Sequence, residues 1–221
     1  MKKVELVVFD MDGLLIDSER GMWLVNEKRA VEELGYPFSY ELITSLMGSS
    51  MNEYKRLIVD YYGNSFPIDK YYNMVFEYCQ SMIKENKINL MKGAIELLDF
   101  LKENDIKMRV ATSTPKDTAI QILTNLNLIN YFDEVFSGEQ VEKGKPYPDI
   151  YNLAIGDVDK DSALIFEDGH NGSRAAIASG AHLIIVPDIA MLTKEDKEEA
   201  FRVIESLDKA INIIKEINNI K

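Results

Sequence analysis

The chain has one cysteine, Cys79, so no intrachain disulfide can form and a reducing compartment suits it. It is also short of positive charge. Twenty-five Lys and Arg stand against 37 Asp and Glu, for a formal net charge of −12 at pH 7. Such a surface disfavours nucleic acid and anionic membranes. It also repels phosphorylated compounds, so a phosphate site has to supply its own local positive charge. No apolar stretch is long enough to span a bilayer, and Met1-Lys2-Lys3 leads into a short run interrupted by Glu5, the wrong shape for a signal peptide. Internal repeats, low-complexity tracts and long linkers are missing too. These absences point to a cytoplasmic protein with no nucleic-acid or membrane partner, monomeric by default.

What is present is a chain of 221 residues, 46% hydrophobic, enough to bury a real core and to divide in two. Its most informative stretch is Val7-Val8-Phe9-Asp10-Met11-Asp12-Gly13. A continuous apolar run marks a strand buried on both faces, and here it ends in two carboxylates at i and i+2. In extended chain those point the same way, so their repulsion calls for a cation or a reacting group. Further strand-like runs lie at Val4 to Phe9, Met108 to Ala111, Ala163 to Phe166 and Leu183 to Val186, with a shorter one at Glu134 to Phe136. Helical spacing falls between the later runs, at Ala94, Leu97, Leu98 and Leu101 and at Ala119, Ile122, Leu123 and Leu126. Strands alternating with helices predict an α/β fold, a doubly wound, Rossmann-like parallel sheet. The interval after the first strand breaks the alternation. Tyr54, Leu57, Ile58, Tyr61 and Tyr62 share one helical face, Val75, Tyr78, Cys79 and Met82 another, and Gly35 ends a helix carrying Leu24, Val31 and Leu34. This predicts a small helical cap domain over 17–87, inserted into a core domain of 1–16 and 88–221. The stretch from Glu198 to Lys221 reads as amphipathic helix and turn.

Four polar sites fall at strand exits or in nearby loops: Asp10 with Asp12; Thr112-Ser113-Thr114, with Pro115 opening a helix; Lys145-Pro146-Tyr147-Pro148-Asp149; and Glu167-Asp168-Gly169. In a parallel sheet all strand exits lie on one edge, the usual ligand crevice, so these positions converge. Hard carboxylate oxygens with open positions suit Mg²⁺. Thr112 and the amides around Ser113 and Thr114 suit phosphate oxygens, and Lys145 adds charge where phosphoryl charge gathers. Phosphoryl transfer needs mainly such positioning and neutralisation. Each part alone has a plainer reading, as a helix cap, an exposed lysine or a strand-ending acid; their order on matching elements is what carries weight.

These residues resemble the haloacid dehalogenase superfamily, in its phosphatase and β-phosphoglucomutase-like branch. Phe9-Asp10-Met11-Asp12-Gly13-Leu14-Leu15-Ile16-Asp17-Ser18-Glu19 is similar to the first family motif, Thr112 in Val110-Ala111-Thr112-Ser113-Thr114 to the second, Lys145 in Gly144-Lys145-Pro146-Tyr147-Pro148-Asp149 to the third, and Glu167-Asp168-Gly169-His170-Asn171-Gly172 with Ala175, Ala176 and Gly180 to the fourth. The resemblance implies an Mg²⁺-dependent phosphatase of small phosphorylated metabolites. Asp10 would be the nucleophile forming an aspartyl-phosphate, and Asp12 the acid and then base. Thr112 and Lys145 would hold the phosphoryl group. Asp10, the main-chain carbonyl of Asp12, Glu167 and Asp168 would surround the metal, Glu167 directly or through water. The cap would close over the site and choose the substrate. Candidate substrate contacts are Thr112, Ser113, Thr114 and Lys116 from the core, with Met22, Trp23, Gly48 and Met51 from the cap; Arg20, Met47 and Ser49 are near the same mouth.

An acid at position 12 is what the resemblance ties to phosphoryl chemistry, since the family's dehalogenating members lack it. Sugar-phosphate mutases of the branch carry a cap histidine and a cap arginine where this chain has Met22 and Met51, which favours hydrolysis over isomerisation. The mutase remains the alternative. Signalling receiver domains share strand-exit aspartates, a Thr or Ser and a Lys-Pro, but they are shorter and lack a helical insertion. His170 has no partner visible in the sequence, and His182, leading into a strand, reads as structural.

Overall fold

The computed structural model describes residues 1–46 and 51–220. Among them, β1 (Leu6–Phe9), β2 (Lys107–Thr112), β3 (Glu134–Ser137), β4 (Ala163–Glu167), β5 (His182–Ile185) and β6 (Arg202–Val203) form one sheet in the order β3-β2-β1-β4-β5-β6. Every neighbouring pair is parallel. Chain order reverses between β1 and β4, so the crevice of this doubly wound sheet opens at their carboxyl ends.

Alternation along β1 shows why the sequence chose this layering. Val7 and Phe9 enter one apolar cluster, with Leu97, Leu98 and Leu101 of α5 (Ala94–Glu103), Ile122 and Leu123 of α6 (Lys116–Asn125) and Ile214 of α10 (Ala210–Asn218). Leu6 and Val8 enter the other, with Ile150, Tyr151 and Ile155 of α7 (Asp149–Ile155) and Ala175 and Ala176 of α8 (His170–Ser179). All four β1 side chains are fully buried. At roughly 1.5–3 kcal/mol for each large apolar side chain taken from water, that strand alone anchors the sheet's centre. β6 lies outside the predicted pattern. Arg202 and Val203 are both exposed, so no apolar run announced the strand, and the stretch read as helix and turn contains both it and α10.

Between β1 and α5 the chain forms a π-helical turn, Glu19–Leu24, then α1 (Val25–Glu33), α2 (Tyr40–Leu46), α3 (Met51–Tyr62) and α4 (Ile68–Lys84). α1 ends at Gly35, whose φ of +82° suits glycine. Ile43, Ile58, Tyr71, Val75 and Cys79 form the buried interior of these helices. Tyr61 departs from the expected face: it is exposed, while Tyr62 turns inward and stacks on Phe66 at 4.8 Å. The chain enters and leaves this insertion through adjacent strands of backbone, Met91 N–H donating to Leu15 O at 3.0 Å and Asp17 N–H to Asn89 O at 2.9 Å.

Inside the insertion Glu27 is buried, accepts from the Tyr54 hydroxyl at 2.6 Å, and leaves Oε2 without a partner. The Tyr54 hydroxyl lies 3.0 Å from that of Tyr71, and Tyr62 and Cys79 are the other titratable neighbours. Burial pushes Glu27 up to about 7, the Tyr54 hydrogen bond opposing it. Because the folded value exceeds that of the unfolded chain, near 4.3, Glu27's contribution to stability is fully present below about pH 4 and is lost as pH rises through about 7. Glu27→Gln should therefore remove part of the pH dependence. In urea unfolding at pH 5 and pH 8, the wild type is expected to lose on the order of 2–3 kcal/mol more than the variant; equal losses would refute this assignment.

Candidate active site

Strand ends bring the candidate residues together because a parallel ladder fixes their register. Phe9 pairs with Phe166 across β1 and β4, so Asp10, Glu167 and Asp168 emerge side by side. Val110 pairs with Phe9 on the other flank, which brings Thr112 alongside. All four are buried. Asp12, half-buried one turn further on, accepts from the Thr112 hydroxyl at 3.1 Å and the Thr114 hydroxyl at 2.7 Å, both at Oδ2. Thr114 N–H is already committed to Thr112 Oγ1 at 3.0 Å. Pro115 caps α6 rather than opening it, because its ψ of 139° is extended. The first helical residue is therefore Lys116, and its amide donates to Glu139 Oε2.

Lys145 reaches in from the loop before α7. Its Nζ donates to Asp10 Oδ1, to Glu167 Oε1 at 2.7 Å and to Ala111 O at 3.1 Å. Burial works against this ammonium, but Asp10 and Glu167 outweigh it and hold Lys145 well above the usual lysine range. Glu167 is fully occupied: Oε1 also accepts from the Tyr151 hydroxyl, and Oε2 from the Asp168 and Gly169 amides. Burial pushes Asp10 well up; Lys145 opposes this, and Glu167 and Asp12 add to it. Asp168 is likewise pushed well up, by burial first and then by Glu167, Glu19 and Asp10.

The cluster is thus short of positive charge. Asp10, Glu167 and Asp168 each offer an oxygen within 4.8 Å of the others, and Asp168 Oδ2 is buried with no partner among the described residues. Hard oxygens and an orphaned buried carboxylate fit a divalent cation such as Mg²⁺. Asp10 and Asp168 have the capacity to ligate it, with Glu167, whose oxygens are already used, behind them. Two glycines make room. A Cβ at Gly172 would stand 1.7 Å from Glu167 Oε1, and one at Gly13, where φ is +76°, 2.5 Å from Asp168 Oδ2.

These groups open into a cleft of about 620 Å³ that Ser113, Lys145, Glu19, Ser45, Glu53, His170 and Met191 also line. Ser113 is therefore brought to the site, whereas Lys116 is not among the lining residues. On the helical side, Met22 is 3% exposed within the apolar core, since the π-helical turn rotates it inward. Trp23 packs against the same core. Met51 begins α3 exposed and does not line the cleft. Met47, Gly48 and Ser49 lie outside the described residues.

Four further residues carried no assignment from the sequence. Tyr151 holds Glu167, and only its place on the buried face of α7 hinted at it. Glu19, half-buried in the cleft, is pushed up to about 8 by burial, with Asp188, Asp12 and Glu167 adding negative neighbours. Asp188 pairs with Arg20 at 2.7 Å. Asp196, fully buried, holds His170 Nδ1 at 2.6 Å; the Thr193-x-x-Asp196 capping box was the legible signal for it. His182 lies in β5 against the Phe201 ring.

Residues 7–186 match the model of the haloacid dehalogenase-like hydrolases. The chain belongs to that family and is an enzyme of its hydrolase class. It is 33% identical over 187 residues to a phosphorylated carbohydrates phosphatase of Thermotoga maritima, covering 82% of this chain and 84% of the relative. It is 33% identical over 211 residues to (DL)-glycerol-3-phosphatase 1, mitochondrial, of Arabidopsis thaliana, covering 91% of this chain and 70% of that one. Among solved structures, a Thermotoga maritima protein provisionally named a beta-phosphoglucomutase is similar with a TM-score of 0.80 at 29% identity, over 97% of this chain and 100% of that one.

The glycine clearance is open to a direct check. Gly172→Ala is expected to lower the unfolding free energy by about 1–3 kcal/mol, because the added methyl displaces the Glu167 carboxylate. Gly144→Ala, where an added Cβ meets nothing within 4 Å, should stay within about 0.5 kcal/mol of wild type in the same denaturant titration.

Proposed function

We propose that the chain is an Mg²⁺-dependent phosphatase of small phosphomonoesters, sugar phosphates or similar, acting through an aspartyl-phosphate. The observation that carries this reading is the junction of Asp10, Glu167 and Asp168 around one lysine, with an orphaned carboxylate oxygen beside it. A bound magnesium ion would neutralise phosphoryl charge there, held by Asp10, the Asp12 carbonyl and Asp168. Lys145 and Ser113 orient the phosphoryl oxygens, and Thr112 holds Asp12 in place.

Asp10 attacks phosphorus as the bond from phosphorus to the leaving oxygen breaks, and Asp12 passes a proton to that oxygen. The two threonine hydroxyls occupy Asp12 Oδ2, which leaves Oδ1 to exchange the proton. A water then attacks the phosphorus, Asp12 takes its proton, and the bond to Asp10 breaks. Each step is an acid–base or nucleophilic role well within a carboxylate's reach. Residues 17–87 serve as a cap domain over the core of 1–16 and 88–221, excluding bulk water when substrate is bound. Transfer to water rather than to another sugar hydroxyl is supported by relatives named as phosphatases.

Phosphate release from a panel of phosphomonoesters tests this. Asp10→Asn should abolish turnover, a fall of at least about 10³-fold, and Asp12→Ala should do so nearly as completely. EDTA should silence the wild type, and added Mg²⁺ should restore it. Turnover that persists in Asp10→Asn, or in EDTA, would overturn the mechanism.

A further inference from the structure

The cleft beyond the phosphoryl position is unusual in its charge. Among the described residues that line it, Asp10, Asp12, Glu19, Glu53, Glu167 and Asp168 are acidic, and Lys145 and His170 are the only basic ones. Both bases are already matched. Lys145 is shared by Asp10 and Glu167 and buried between them. His170 is held by Asp196, which is fully buried, so the pair carries no net positive charge in either state of the ring. Two arginines close in sequence to lining residues are committed as well: Arg20 to Asp188 at 2.7 Å and Arg174 to Glu199 at 2.8 Å. Met47, Gly48, Ser49 and Ser50, outside the described residues, are uncharged by their nature.

Resting on the phosphatase reading above, we propose that this cleft selects by charge: it takes esters whose only anion is the phosphoryl group and whose leaving portion is neutral and hydroxylated. It rejects those carrying a second carboxylate or phosphate. The physical reason is that a second anion would enter a region of several carboxyls where the basic side chains among the described lining residues are already matched. Hydroxyls, in contrast, find acceptors among the carboxyls that line the cleft. The chain's surplus of acid extends the same repulsion outside the cleft. This is exclusion by unmatched charge, which discriminates without any dedicated contact to the preferred substrate.

Matched pairs isolate the effect, since each differs by one carboxylate in place of a hydroxymethyl group: sn-glycerol 1-phosphate against 3-phospho-D-glycerate, and D-glucitol 6-phosphate against 6-phospho-D-gluconate. At low salt and fixed Mg²⁺, the acidic member is expected to show a KM at least about fivefold higher, with the gap closing to about twofold near 0.3 M salt as the charges are screened. Met191→Lys places a cation on the cleft wall at a residue that is 68% exposed. It should narrow the low-salt gap by lowering KM for the acidic member. An acidic member hydrolysed as well as its partner at low salt would overturn charge selection. So would a gap that neither salt nor Met191→Lys moves, or cleavage of p-nitrophenyl phosphate but of no member of either pair. Failure to cleave p-nitrophenyl phosphate as well would instead sink the phosphatase reading itself.

Discussion

The structure is organised around an unfavourable arrangement: three carboxylates buried together at the exits of two adjacent strands. Left alone, Asp10, Glu167 and Asp168 would repel one another and resist ionisation in so dry a place. Lys145, brought in from a separate loop, meets two of them, and Tyr151 and two backbone amides complete Glu167. Even so, one oxygen of Asp168 has no partner among the described residues. The shortfall is roughly that of one divalent ion, and the rest of the edge is built to tolerate it. Gly13 and Gly172 give up their side chains to let the carboxylates sit so close.

Sheet order turns this local arrangement into a site. With β1 and β4 at the reversal point, their side chains diverge to opposite layers below while their ends stand together above. The same register lets the second flank deliver Thr112, whose hydroxyl steadies Asp12. The carboxylate cluster is therefore carried by the sheet, where all of β1 is withdrawn from solvent. The helices inserted after it supply walls to the cleft and contribute none of the carboxylates of the cluster.

Much of this was legible in the sequence, for identifiable reasons. The run Val7-Val8-Phe9 ending in Asp10 declared a strand buried on both faces, and the alternation with helices declared the parallel sheet. The clustering of Asp10, Thr112, Lys145 and Glu167 followed from topology, because all strand exits share an edge. What escaped had no periodic signature. β6 is two exposed residues, recognisable only through its partner β5. Met22 looked available because the family resemblance put it where mutases carry a cap histidine, whereas it lies in a π-helical turn and is buried in the core. Pro115 preceded its helix by one residue more than a proline usually does. Tyr151 and Asp196 act through partners distant in sequence: the capping box marks Asp196 as a helix-start residue but not its tie to His170, and a lone tyrosine announces no tie to Glu167.

The insertion's attachment carries a consequence of another kind. Its two ends, at Leu15 to Asp17 and Asn89 to Met91, are hydrogen-bonded to each other before the chain rejoins the sheet. From the sheet's standpoint those 70-odd residues close on themselves, so lengthening, shortening or rebuilding them leaves the strand register untouched. Ancestral variation in that stretch would thus be filtered by what it admits to the cleft and hardly at all by folding of the sheet.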